Sequence, residues 1–495
     1  MTQDDQSDVA STEEPPKPVR RRWSLRGGPP TEPLPIVDLL HRSPYRQAVQ
    51  STAAGEDRSV REALDLAARV GELMLRCGAG APQVEGSVVA IASAAGLSQF
   101  EVDITLQSLL LQARTDDGYI QTQLRVVRST RADHARLVAI HELVDAMAHG
   151  DLDVRGATEE LRRLKARRRT FSTALTRVAR AVLAASVAGM IGASIQATVF
   201  TFVAVLLVAG LQRLTDPLRL PEFYEGAMVA AASTVLAWVA YVLGVNGWLD
   251  IGGNDFAFIV AGGIVALLPG RAMAAAVEDV LSGYAVTGAG RLLTVLLSLM
   301  GLIIGIAVAL SVTLRVTDAM GLGFVSPSVL ELRVTGSSVA AFLAGAFFVG
   351  GAGSITMQTR RKLILPAAAL GLVGAAIFAL GTRVVDVGPI SATGVAAIAI
   401  GAAGRVVAQR MNVPGMVVIV PASFGLLPGL TIFRGLYEMV GQADPGTLAL
   451  QSGITTLFSA GAVLLAIATG TTFGEILASP WDHVTRRAAA RRHRA

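Results

Sequence analysis

Beyond Arg169 the chain is a succession of apolar runs of roughly 16 to 27 residues, and about 20 residues of helix cross a bilayer. Ten can be bounded: 176–194, 196–214, 226–246, 254–270, 291–314, 337–357, 363–381, 391–407, 413–428 and 450–476. Backbone inside hydrocarbon must satisfy its own polar groups, so such runs predict an α-helical polytopic membrane protein. The boundary between the first two rests only on the small residues Gly192, Ala193 and Ser194. Stretches such as FLAGAFFVGGAGS (342–354) and AIAIGAAG (397–404) predict close helix packing.

Only 16% of the 495 residues are charged, against about 25% in an average soluble chain. Most of that charge lies in the first 180 residues and the last 15, which separates a soluble part from a membrane part. Lys and Arg cluster beside alternate loops, at Arg162–Arg180, Arg360–Lys362 and Arg486–Arg494. The intervening loops hold only Arg315, Arg333, Arg383 and Arg434. By the positive-inside rule this predicts ten spans with both termini in the cytoplasm. The pI of about 9.7 is then a topology signal, and no nucleic-acid partner is expected. Met1–Glu14 is acidic without an apolar run, as expected of an N-terminus that stays in the cytoplasm.

The predicted domains are a disordered cytoplasmic tail (1–57), a cytoplasmic α+β domain (58–170) and a first five-helix module (171–316). An extracytoplasmic loop (317–336), a second five-helix module (337–478) and a basic cytoplasmic tail (479–495) follow. In the α+β domain, Ser59 and Glu62 read as a capping box, the apolar stripe from Ala63 to Cys77 as a helix, and Gly78 as its C′ residue. A helix over Gln83–Ala95 follows. Phe100, Val102, Ile104 and Leu106 alternate with polar residues, and Asp117-Gly118 turns the chain into Tyr119–Val127, predicting a hairpin. Helical patterns over His134–His149 and Thr158–Arg169 complete the domain. Cys77, the lone cysteine, falls on the apolar stripe and reads as a core residue. His134, His141, Glu142, Asp145 and His149 lack the i, i+4 histidine pair of a helical zinc site, so no metal or other cofactor is expected.

The two membrane modules resemble each other. The sequence from Gly263 and that from Ser423 each close an apolar run on LLPG, continue through a mixed stretch with acids (Glu278 and Asp279; Glu438) and enter a long small-residue helix. Five helices per module is odd, which predicts two inverted repeats, with Pro269-Gly270 facing the cytoplasm and Pro428-Gly429 facing outside. Inverted repeats with interrupted helices are the architecture of alternating-access transporters, whose substrate sits near the midplane. Acids near the membrane are few: Asp250, Asp255, Glu278, Asp279, Asp386, Glu438 and Glu475, all near span ends. Those at Asn254-Asp255 and Asp386 precede spans, where capping and the helix dipole also favour a carboxylate. No Walker-type GxxxxGK[ST] occurs, so transport energy is expected from a gradient. A membrane-anchored enzyme or regulator acting through the cytoplasmic domain is the competing reading.

LMLRCGAGAPQVEGSVVAIASAAGL (73–97), with Gly80, Ala81 and Glu85 as its Gly-Ala-x-x-x-Glu pattern, resembles the threonine/serine exporter family. So do the two LLPG repeats, the second carrying a Pro-x6-Pro-Gly pattern at Pro421, Pro428 and Gly429. The resemblance covers roughly residues 60–478. It implies a plasma-membrane secondary transporter, not an enzyme, that exports threonine, serine and similar amino acids, coupled to the membrane potential or proton gradient. The implied partners are a small amino acid, coupling protons and the lipid bilayer; homo-oligomerisation is left open. A zwitterionic hydroxy amino acid needs partners for carboxylate, ammonium and hydroxyl, because an unpaired charge at membrane depth is costly. Half-helix N–H groups at the interruptions suit the carboxylate. Asp255, Asp386, Asn254, Glu278 and Asp279 are candidates for substrate or proton coupling, and Ser423 for the hydroxyl. Glu85 has no evident catalytic partner and points to regulation or gating by the N-terminal domain.

Overall fold

The computed structural model describes residues 57–97, 99–115, 118–218, 220–322, 338–440 and 447–479. The predicted N-terminal and C-terminal tails and most of the predicted 317–336 loop lie outside these residues.

The N-terminal domain runs α1 (Asp57–Cys77), α2 (Ala81–Ala94), β1 (Phe100–Thr105), β2 (Ser108–Arg114), β3 (Ile120–Val126), α3 (His134–Ala148) and α4 (Val154–Ala166). The strands form one antiparallel sheet in the order β1-β2-β3. Two strands were expected and three are present: Tyr119–Val127 corresponds to β3, which pairs with β2 and not with β1. Leu109, Leu110 and Leu111 hide β2 in the sequence, because three leucines in a row show no alternation. In the fold Leu109 and Leu111 are buried and Leu110 faces out. The turn before β2 is made by Leu106, at φ 56°. In the second turn Gly118 has φ 85°, and Asp117 lies outside the described residues. α1 packs on β2 and β3 and α2 on β1, so Leu66, Val70, Ile91, Leu109 and Leu111 share one buried core.

Gly78 (φ 90°) ends α1 as expected, in a Schellman motif: Ala79 N–H donates to Met74 O and Gly78 N–H to Leu75 O. α4 begins four residues before the expected Thr158, because the Asp153 side chain caps it by accepting from Gly156 N–H.

The membrane part runs α5 (Thr173–Ile191), α6 (Ile195–Thr215), α7 (Glu222–Val245), α8 (Gly253–Leu267), α9 (Gly270–Leu281) and α10 (Ala285–Ala319). A second set repeats the order: α11 (Val339–Thr356), α12 (Arg361–Arg383), α13 (Pro389–Arg410), α14 (Met416–Ser423), α15 (Gly429–Val440) and α16 (Thr447–Ala478). Among the described residues eight helices are long and apolar enough to cross a membrane. Two bent pairs, α8 with α9 and α14 with α15, bring the number to ten when each pair is counted as one span. The weakly marked boundary between the first two spans is a second Schellman turn, with Gly192 at φ 116°.

Each set is three spans, a broken fourth and a long fifth, and the packing repeats too. The first span lies on the fourth (α5 on α8, α11 on α14) and the third on the fifth (α7 on α10, α13 on α16). Backbones touch in the second kind of pair: a Cβ on Gly305 would collide with Ala227 O, and one on Gly474 with Ile398 O. The two sets meet through α5 with α11, α8 with α15, and α9 with α16.

Candidate functional site

Each broken span owes its break to one tetrapeptide. Proline has no N–H to donate and pushes the preceding residue out of the helical region. Leu268 accordingly sits at φ −61°, ψ 133° and Leu427 at φ −65°, ψ 136°. The helix restarts at the following glycine in both, bent by 50° in the first half and 42° in the second. In both halves a further helix of 12 residues, α9 or α15, continues beyond the break.

The broken spans cross at these points. A Cβ on Gly270 would lie 3.5 Å from the Phe424 ring and 3.6 Å from Leu427, while one on Gly429 would lie 2.5 Å from Val265 and 2.6 Å from Ala261 O. Gly429 is thus required by a close backbone approach. Pro421 lies inside α14 and Gly353 packs on its carbonyl. Ser423 is buried and its hydroxyl donates to Val420 O at 2.9 Å, beside Gly270 and Thr471.

On the N-terminal-domain side of the crossing a cavity of about 1090 Å³ opens between that domain and the membrane helices. Pro269, Gly270 and Phe424 form part of its wall, and its charged lining includes Arg177, Arg180, Arg271, Glu222 and Glu225. Arg180 donates to Gln212 at 3.3 Å, and Gln212 donates to Glu225 at 3.2 Å. On the other side of the crossing the broken spans close on aromatic rings. Phe256 and Phe433 meet edge to face at 5.7 Å between centroids, and Phe433 and Tyr437 lie 5.8 Å apart. Phe433 and Tyr437 are fully buried, so the cavity is open toward the N-terminal domain and packed shut beyond the breaks.

The N-terminal domain is fastened to both halves. To the first half it presents the Gly80-Ala81-x-x-x-Glu85 stretch. Ala81 N–H donates to Asp279 at 2.7 Å, and Arg291 pairs with the same carboxylate at 2.8 Å. Gln83 donates to Glu278 at 3.3 Å, and Tyr284 donates to Glu85. A side chain on Gly80 would put its Cβ 3.1 Å from Glu278 Oε2, which accounts for glycine there. Glu278 and Asp279, taken from the sequence as coupling candidates, are thus brought together with Ala81, Gln83 and Arg291 at the domain junction.

To the second half the domain presents α3. His134 N–H and Ala135 N–H donate to Met357 O (3.1 Å) and Gln358 O (3.0 Å), satisfying carbonyls just past the end of α11. Glu142 takes both arms of Arg360, at 2.5 and 2.6 Å, and this bonding holds its carboxyl below the usual range. Asn412 donates to Asp145 at 3.3 Å. The His134 ring is buried 3.4 Å from Thr359 Oγ1, and burial, with the Arg271 charge, pushes its pKa down to about 3. Burial pushes the Cys77 thiol up to about 12, as suits a core residue.

The remaining candidates lie on the face away from the N-terminal domain. Asp255 is buried with both oxygens in use: Oδ1 accepts from Ser194 N–H (2.8 Å) and Oδ2 from Gly252 N–H (3.1 Å), tying α8 to the α5–α6 turn. Asn254 is its neighbour in the first turn of α8. Asp386 is exposed before α13 with φ 55°. The sequence reading missed Arg180, Arg271, Glu222, Glu225 and the aromatic cluster. One signal for Arg271 was available: it follows LLPG in the first half, where the second half has Leu430.

Two repeated halves built around a pair of crossing broken helices, with a polar cavity ending at the crossing, define a polytopic helical membrane protein of transporter architecture. The chain belongs to the threonine/serine exporter family. One family model matches residues 65–313, and a second, described as threonine/serine exporter, ThrE, matches residues 337–476. It is 28% identical over 462 residues to the "Probable threonine/serine exporter" of Mycobacterium tuberculosis (strain ATCC 25618 / H37Rv), covering 93% of this chain and 82% of that one. To the "Threonine/serine exporter" of Corynebacterium glutamicum it is 25% identical over 465 residues, covering 92% and 87%. No solved structure matches.

Proposed function

We propose that the protein exports small amino acids, threonine and serine foremost, from the cytoplasm by alternating access driven by the proton motive force. The observation that carries this reading is the cavity that opens beside the N-terminal domain and ends where the two broken helices cross, with aromatic packing beyond. A solute entering it reaches the breaks and stops, as an inward-open carrier requires. The family and the names of the two relatives support the cargo.

The N-terminal domain is taken as cytoplasmic, which puts both termini inside a plasma membrane and Asp386 outside. The close α7–α10 and α13–α16 pairs are the rigid parts. The broken helices between them re-pack to close the cavity and part the aromatic cluster. Protons entering from outside meet Asp386 and then Asp255; those leaving on the cytoplasmic side meet Glu278 and Asp279.

Proteoliposomes loaded with labelled threonine or serine test the reading. Efflux that rises when a proton gradient is imposed is expected. Efflux no faster than from protein-free vesicles, with and without the gradient, would overturn it.

A further inference from the structure

We infer that Arg271 anchors the α-carboxylate of the exported amino acid at the first helix break, an assignment that rests on the export reading. Arg271 is the second residue of α9, directly after the break, and lines the cavity. The first N–H groups of a helix have no partner within it, so α9 begins with amide donors beside the guanidinium.

The guanidinium is mostly enclosed, yet its recorded hydrogen bond among the described residues is a long one, 3.4 Å to Gly78 O. Arg291 and Arg360, arginines of the two domain junctions, each hold a carboxylate at 2.8 Å or less. No carboxylate lies within ion-pair distance of Arg271 among the described residues. Glu222 shares the cavity with Arg271 but stands beyond ion-pair distance, so an enclosed cation gains from an anion that reaches it, and the cavity gives one access.

The repeat makes the same point independently. Leu430 occupies the corresponding place after Pro428-Gly429, so the charge is not needed to make a break. Gly78 reserves room for it, since a Cβ there would collide with the guanidinium. Glu222 and Glu225 on the same cavity disfavour a multiply charged anion and suit the ammonium end of a zwitterion. A planar carboxylate matches the two-pronged face of arginine.

The full-length protein in detergent is titrated with threonine and with threoninol, which has an alcohol in place of the carboxylate, and efflux of labelled threonine is followed in proteoliposomes. Threonine is expected to bind the wild type at least about tenfold more tightly than threoninol. Arg271→Gln is expected to lose about ten- to hundredfold in threonine affinity, and with it the preference over threoninol. Arg271→Lys, which keeps the charge, should retain part of that preference. Equal binding of threonine and threoninol by the wild type, a measurement that needs no variant, would overturn the assignment. So would an unchanged threonine affinity and preference in Arg271→Gln. If the wild type neither binds nor exports threonine, it is the export reading that fails.

Discussion

His134 shows how much of the domain junction hangs on single residues. Burial, with Arg271 nearby, holds its imidazole neutral, with a pKa of about 3 against an ordinary 6.5. The unfolded chain therefore binds the extra proton first. Stability from the neutral ring is complete above about pH 6.5 and lost as pH falls toward 3, by up to about 1.4 kcal/mol per pH unit. Thermal unfolding of the protein in detergent between pH 7.5 and 5 should show this fall, and His134→Gln should flatten it; equal slopes would show that the ring does not govern the junction. Asp255 offers a second test. Its two oxygens accept backbone N–H groups from two elements, so Asp255→Asn should lower the unfolding temperature by the equivalent of about 1–3 kcal/mol. An unchanged temperature would show that these two bonds do not hold α8 in place, and undiminished gradient-driven efflux would remove Asp255 from the proposed proton path. The cap could be read from the sequence, because a carboxylate just inside a span start is a local signal. The partners that Glu85, Glu278 and Asp279 find across the domain junction could not, since they lie close to 200 residues away along the chain.

At the scale of elements, the ten spans were legible because run length alone predicts a membrane helix. The break points were legible as LLPG, but the bend was not: the mixed stretches that follow are α9 and α15, which continue from α8 and α14 at 50° and 42°. β2 was missed for a related reason, its three leucines masking the two-residue period. Gly429→Ala tests the crossing directly. The added Cβ meets a backbone carbonyl and a valine that cannot both move, so a cost of about 1–3 kcal/mol is expected, read as a lowered unfolding temperature in detergent. Gly388→Ala, where a Cβ meets open space, serves as the control. Equal stability of the two variants would mean that the broken spans do not approach as described.

Across the whole molecule, the N-terminal domain bridges the two halves, held by Asp279 and Glu85 on one side and by Met357, Gln358 and Arg360 on the other. In the proposed alternating-access cycle the halves move against each other and cannot keep both attachments unchanged, so one would loosen. The Glu142–Arg360 pair is partly exposed, and such pairs contribute about 0–1 kcal/mol. Glu142→Gln should therefore change the efflux rate by no more than about fivefold, and complete loss would make Glu142 part of the transport path. The central claim is that the cavity is the inward-open end of a pathway whose outer end is the aromatic cluster. Single cysteines at Thr294, on the cavity wall, and at Ile432, within the packed cluster, test it in a Cys77→Ala background with an impermeant thiol reagent. At rest, Thr294→Cys should react only from the side of the N-terminal domain and Ile432→Cys from neither. With threonine and a proton gradient present, Ile432→Cys should become reactive from the opposite side while Thr294→Cys is protected. Reaction of Thr294→Cys from the opposite side at rest, or no change at either position during transport, would contradict it.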